Sequence, residues 1–190
     1  KTFADQAAIA IENVRLFNET KEALEQQTAT SSILRVIAAS PNDLQPVFET
    51  ILRSARELCG GFYSLLFLCH GEQVNLVATD SVPAEGLEAL KRRYPVSIAS
   101  NDAGLTARAI RERRLQHVTD IQTESSLPEA ARRASEAVGQ RAGVAVPLLR
   151  EGEPIGALTV SRQEARAFSE KDRALLQTFA DQAVIAIENV

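Results

Sequence analysis

Residues 142–162 read AGVAVPLLREGEPIGALTVSR, and this stretch decides the fold. Two apolar runs, Ala142 to Leu149 and Ile155 to Ser161, flank the polar residues Arg150, Glu151, Gly152 and Glu153. Short runs rich in Val, Ile and Leu fit strands, and a glycine-containing polar tetrad between them closes a hairpin. Directly downstream, 167–190 read AFSEKDRALLQTFADQAVIAIENV. Ser169 and Asp172 have capping-box spacing, with Asp in place of the usual Glu, so a helix starts there and closes the unit.

Working upstream, Pro128 opens a helix that ends near Gly139, and the polar segment Thr119 to Pro128 before it reads as loop. A strand is expected around Gln116 to Val118, a helix near Ala103 to Arg113, an extended piece at Tyr94 to Ile98 and a short helix near Ala84 to Arg93. Phe62 to Cys69 and Val74 to Thr79, joined by the turn His70 to Gln73, form a first hairpin. Before it, Leu44, Val47, Phe48, Ile51, Leu52, Ala55 and Leu58 mark one apolar helical face, with Asn42 or Asp43 as cap and Gly60 and Gly61 as terminator. Helices, hairpin, helical insertion, hairpin and helix together predict an α+β fold. Its antiparallel sheet of five to six strands carries helices on one face and a helical lid on the other.

The ends of the chain repeat each other. Residues 2–14 are TFADQAAIAIENV and residues 178–190 are TFADQAVIAIENV, so 12 of 13 positions agree and only Ala8 against Val184 differs. Shared amphipathicity alone would not match Asp5 with Asp181, Gln6 with Gln182 and Asn13 with Asn189. Residues 2–14 are therefore expected to end one unit of an array, with a second unit closing on the same helix. The parse is a signalling helix over 1–40, stopped by Pro41, and a globular domain over 41–190. In that helix Phe3, Ala7, Ala10, Val14, Phe17 and Leu24 follow a 3,4 spacing, while Ile9 and Ile11 are apolar on other sides. One partner cannot cover all of it. The expectation is that one face meets the domain's own sheet and the other a twin helix in a parallel homodimer. A further stripe, Ile33, Leu34, Val36 and Ile37, points to the following domain.

Composition narrows the function. Hydrophobic residues are 45%, charged residues 24% and the net charge −4, as in an ordinary globular protein. A pI near 5.3 offers no general attraction for nucleic acid or anionic membrane, and the basic cluster Arg111 to Arg114 reads as a solvated helix end. No stretch has the roughly 18 apolar residues of a membrane span, and no leader opens the chain at Lys1, so a cytoplasmic piece of a longer protein is expected. Cys59 and Cys69 bracket an apolar run and read as buried free thiols, without the neighbours a zinc site needs.

Residues 142–162 with 167–190 resemble the C-terminal half of a GAF domain, and PVSI at 95–98 with GLTARAIRERRLQHVTDI at 104–121 resembles the GAF segment leading from the lid helix into a central strand. The resemblance covers about 42–190. Residues 1–14 resemble the end of a preceding GAF domain, as in tandem arrays of bacterial sensor histidine kinases and nucleotide cyclases. It implies a non-catalytic, usually dimeric regulatory module, with a preceding GAF domain and a downstream effector as partners in the parent chain. The rival expectations are a ligand-free dimerisation spacer and, behind it, an enzyme similar to free methionine sulfoxide reductase.

Specific GAF chemistries match poorly. The cyclic-nucleotide motif NKxxxxxFxxxDE has its spacing in Ser161, Arg162, Phe168, Asp172 and Arg173, but Ser161, Arg162 and Arg173 depart from its residue types. Arg162 with Asp172 is expected instead to form an exposed structural latch between the last strand and the closing helix. The lid region from Tyr94 to Gly139 has no cysteine, which argues against covalent bilin, although Cys69 and His70 imitate the dipeptide. The resemblance places Tyr94, Arg108, His117, Asp120 and Arg133 where the family pocket opens, facing an unidentified polar or anionic small molecule. No cofactor, metal or catalytic residue is expected.

Overall fold

The computed structural model describes residues 2–39, 43–100 and 104–189, with Thr2 described in its backbone alone. The expected roles of Pro41 and Asn42, the helix start at Ala103 and the last residue, Val190, lie outside them.

A long helix, α1 (Thr2–Ala39), comes first, followed by α2 (Gln45–Leu58). The N-cap of the latter is Leu44, without a side-chain cap bond, and not the expected Asp43, whose Oδ1 accepts from the Gln45 N–H at 3.0 Å one residue further out. The α2 face read from the sequence is buried through Val47, Phe48, Ile51, Leu52 and Ala55. Next come β1 (Tyr63–His70) and β2 (Gln73–Asp80), then α3 (Ala84–Arg93), β3 (Val96–Ser97), α4 (Gly104–Glu112), β4 (Gln116–Val118) and α5 (Glu129–Ala137). The hairpin of β5 (Ala142–Arg150) and β6 (Glu153–Arg162) leads into α6 (Glu170–Glu188). Both halves of the capping box form at α6: the Asp172 N–H donates to Ser169 Oγ at 3.1 Å, and the Ser169 N–H to Asp172 Oδ2 at 2.9 Å.

The six strands form one antiparallel sheet in the order β3-β2-β1-β6-β5-β4. Its centre joins the N-terminal hairpin to the C-terminal one, Tyr63 to Leu68 pairing with Ser161 to Gly156. That junction requires glycine at 156, because a Cβ there would lie 2.1 Å from the Phe67 carbonyl oxygen.

Strand alternation sorts β1 between two layers. Leu66 joins a large core with α1, α2 and α6, built from Ile33, Phe48, Ile51, Leu52, Leu176, Phe179 and Ala183 among others. Ser64 points the same way and donates to the Leu52 carbonyl at 2.9 Å. Tyr63, Leu65 and Phe67 point oppositely into a second core with Leu90, Ile110 and Val138 of the α3–α5 region. The chain is thus the expected α+β sandwich of helical layer, sheet and helical lid, with α1 as the long N-terminal helix.

At about 1.5 Å per residue, the 38 residues of α1 span roughly 57 Å. Only its C-terminal part packs on the body, through Ala29, Ile33, Val36 and Ile37. Glu22 pairs with Lys171, and a groove further along sets Gln26, Gln27 and Thr30 beside Ala174 and Thr178, so α1 and α6 run in the same direction. The six residues assigned to the dimer seam, Phe3, Ala7, Ala10, Val14, Phe17 and Leu24, are all exposed. Leu34 points away from the body and is exposed too.

Candidate functional site

A cavity of about 80 Å³ lies between the sheet and the lid. Its floor is Tyr63, Leu65 and Phe67 of β1 with Thr159 and Ser161 of β6, and its roof comes from Leu90, Arg93, Tyr94, Leu105, Thr106, Ala131 and Val138. Burial of polar side chains on this floor follows from the strand period: Thr159 and Ser161 share the lid face with Ala157, whereas Leu158 and Val160 enter the helical layer. The Tyr63 hydroxyl donates to Gln140 Oε1 at 3.0 Å. Burial raises the pKa of both tyrosines, so Tyr63 and Tyr94 remain neutral phenols able to donate. The Tyr94 ring packs on Phe67 with centroids 4.7 Å apart. Nucleotide-sized and drug-sized ligands occupy about 300–1,000 Å³, so a cavity of this size holds a molecule of a few heavy atoms or a small water cluster.

Of the five pocket residues named from the sequence, only Tyr94 lines this cavity. His117 lies opposite Val144 in the sheet and therefore faces the helical layer, where Arg173 Nη1 stands 3.2 Å from its Nε2. Desolvation first, then Arg173 and Arg108, lower its pKa and favour the neutral ring. Asp120 is engaged by the Arg141 fork at 3.1 and 2.8 Å, and that hydrogen bonding holds its carboxyl below the usual carboxylate range. Arg108 donates to Ser126 Oγ at 2.8 Å, and Arg133 pairs with Glu129 on the exposed side of α5. Sequence reading missed Tyr63, Thr106, Gln140, Thr159 and Ser161. The signal available for the last two was a polar residue at every second position of an otherwise apolar strand.

Beside the cavity lies the junction of β6, α2 and α6. Arg162 Nη2 donates to Asp172 Oδ2 at 3.1 Å, Nη1 to the Ala167 carbonyl at 2.7 Å and Nε to the Gly60 carbonyl at 3.3 Å. Nη2 also reaches the Cys59 carbonyl, and the guanidinium lies 3.9 Å from the Phe168 ring centroid. The pair was expected to be exposed. Instead Arg162 is 5% exposed, because its charge meets the Cys59 and Gly60 carbonyls just past the C-terminus of α2, the end of greatest negative potential, as well as Asp172. Cys59, at the same junction, is buried; desolvation, with Asp172 adding and Arg162 opposing, pushes its thiol up to about 12. Burial also raises Cys69. Both cysteines are free. Among the described residues no three His, Cys, Asp or Glu side chains gather into a metal-binding group, and no helix is long and apolar enough to cross a membrane.

A family model described as GAF domain matches residues 41–188, and the chain belongs to that family. No curated protein matches it. Among solved structures it is similar to the GAF domain of a phosphoenolpyruvate-protein phosphotransferase from Coxiella burnetii, with TM-score 0.70, 16% identity, and 87% of this chain and 94% of that one covered. It is also similar to free methionine-R-sulfoxide reductase from Neisseria meningitidis, with TM-score 0.68, 18% identity, and 89% and 91% covered. A methyl-accepting chemotaxis protein fragment gives TM-score 0.65, 19% identity, and 84% and 94% covered. At these identities the likeness is one of fold.

Proposed function

We propose that this GAF domain is a sensory module in which occupation of the lid cavity is relayed through β6 to the closing helix. One observation carries the proposal: Ser161 forms cavity wall, and its chain neighbour Arg162 grips the first turn of α6 through Asp172. A small polar molecule bonded to Ser161 shifts the end of β6, and Arg162, buried and bonded to the end of α2, the β6–α6 loop and the first turn of α6, transmits that shift instead of absorbing it. In the parent protein α6 leads to an effector, a kinase or cyclase, and the terminal helices hold two subunits in parallel. We place the module in a tandem array and in the cytoplasm. A molecule specific to the folded cavity must raise stability. A thermal-shift screen of small carboxylates, amides and sugars should therefore yield a saturable rise in melting temperature that Ser161→Leu abolishes. Absence of any shift across the screen would remove the sensor reading.

The second reading, a ligand-free dimerisation spacer, is favoured by the small volume of the cavity. The enzyme reading is opposed by the thiols. A nucleophilic cysteine needs a depressed pKa, and burial drives both upward. Reduction of free methionine sulfoxide by the wild type, lost in Cys59→Ser or Cys69→Ser, would reinstate it.

A further inference from the structure

We infer that the N-terminal segment of α1 is itself the closing helix of a second GAF body, and that its Phe3, Ala4, Ala7, Ala8 and Ala10 side is the seat of that body's antiparallel sheet. The inference deepens the tandem-array reading above and rests on it. The template is inside the chain. The equivalents in α6, by the 176-residue offset, are Phe179, Ala180, Ala183, Val184 and Ala186, exposed by 0, 0, 0, 8 and 1%. They lie against β5 and α2 in the helical layer. Phe3, the counterpart of Phe179, is 88% exposed. Alanine at so many positions of one side lets a helix lie close on a sheet, and the same alanines recur where no sheet is now present. The single difference, Ala8 for Val184, falls on this side, so the second body's wall must supply about two methyl groups of volume that this body's wall does not.

The same template separates the two apolar sides of α1. Ile9 corresponds to Ile185, the one large hydrophobic of α6 that stays exposed, at 41%. At about 100° per residue, Ile9 and Leu16 lie on the side of α1 away from the sheet seat. They are 61 and 47% exposed. A sheet on the Phe3 side therefore leaves them open to a second subunit, and Phe3, Ala7 and Ala10 move from the expected dimer seam to the sheet seat. Along the helix, the seat centres on Ala7 and the contact with the present body on Ile33. These points are separated by roughly 40 Å and by about a quarter turn, which sets successive bodies in line on one side of a shared rod.

A merged chain tests this. Residues 1–177 are joined directly to residues 2–190, so that one helix serves as α6 of the first body and α1 of the second, and hydrogen exchange is followed across its Phe3–Ala10 stretch. The expected result is exchange slowed by about 100-fold relative to the 190-residue chain, with both bodies resistant to limited proteolysis. Phe3→Asp in the shared helix should then make the first body protease-sensitive while leaving the single chain intact. Exchange as fast as in the single chain, or a first body cut while the second survives, overturns the inference. Sedimentation of the same sample keeps the two ideas apart: a protected stretch in a monomer upholds the seat and counts against dimerisation, and an unprotected stretch in a dimer does the reverse.

Discussion

Phe3 and Phe179 occupy the same place in a repeated helix, yet the first is 88% exposed and the second fully buried. One sequence thus meets two environments within a single chain, and its stability cost can be compared directly. Phe179→Ala should destabilise the 190-residue protein by about 3–5 kcal/mol through the transfer and cavity terms, whereas Phe3→Ala should change it by no more than about 0.5 kcal/mol. Urea denaturation of the two variants checks both values.

Arg162 satisfies carbonyls of Cys59, Gly60 and Ala167 together with the Asp172 carboxylate. Arg162→Met keeps the apolar stem and strands a part-buried carboxylate and several acceptors. The expected loss is about 3–5 kcal/mol. Arg162→Lys should recover little of it, since one ammonium cannot span the acceptors that the planar fork reaches. Denaturant midpoints of the three proteins test this, and full recovery by lysine would show that charge alone matters.

The raised pKa of Cys59 makes stability depend on alkaline pH. The folded state holds the thiol proton up to about 12, against 9.0 for the ordinary group, so the unfolded state loses its proton first. The contribution is complete below about pH 9 and declines as pH rises toward 12. The fall in stability between pH 9 and 11 should therefore be shallower in Cys59→Ala than in the wild type. The native thiol should also react with an aromatic disulfide reagent no faster than global unfolding permits.

Ile9 and Leu16 form the exposed side of α1 that the sheet seat does not use. Ile9→Glu with Leu16→Glu should convert a concentration-dependent dimer into a monomer by at least a tenfold rise in the dissociation constant, with the melting temperature of the body unchanged. Phe3→Glu should leave the dimer in place. Analytical ultracentrifugation of the three proteins distinguishes the two sides.

Local chemistry makes much of the fold readable in the sequence. The turns at Gly71 and Gly152 and the Ser169 cap bounded both hairpins and the closing helix to within a residue or two. The site was harder to read, because it is assembled across the sheet from residues distant in sequence. Tyr63 meets Gln140 only once β1 and β5 flank β6. In β4, three residues are too few to show which side faces the lid, and His117 falls on the helical side. Asp120 has no neighbour in sequence to reveal Arg141 as its partner. The two apolar sides of the repeated helix were visible, but which of them takes the sheet became evident only from the burial of α6.

The coupling of cavity to closing helix is tested most directly by hydrogen exchange at the first turn of α6, Glu170 to Arg173, in two variants that fill the same cavity from opposite walls. Ser161→Leu fills it from β6, next to Arg162, and Ala134→Leu fills it from α5. Relay through β6 predicts at least a tenfold change in exchange at that turn for Ser161→Leu and little change for Ala134→Leu. Equal responses in the two, or none in Ser161→Leu, would contradict it.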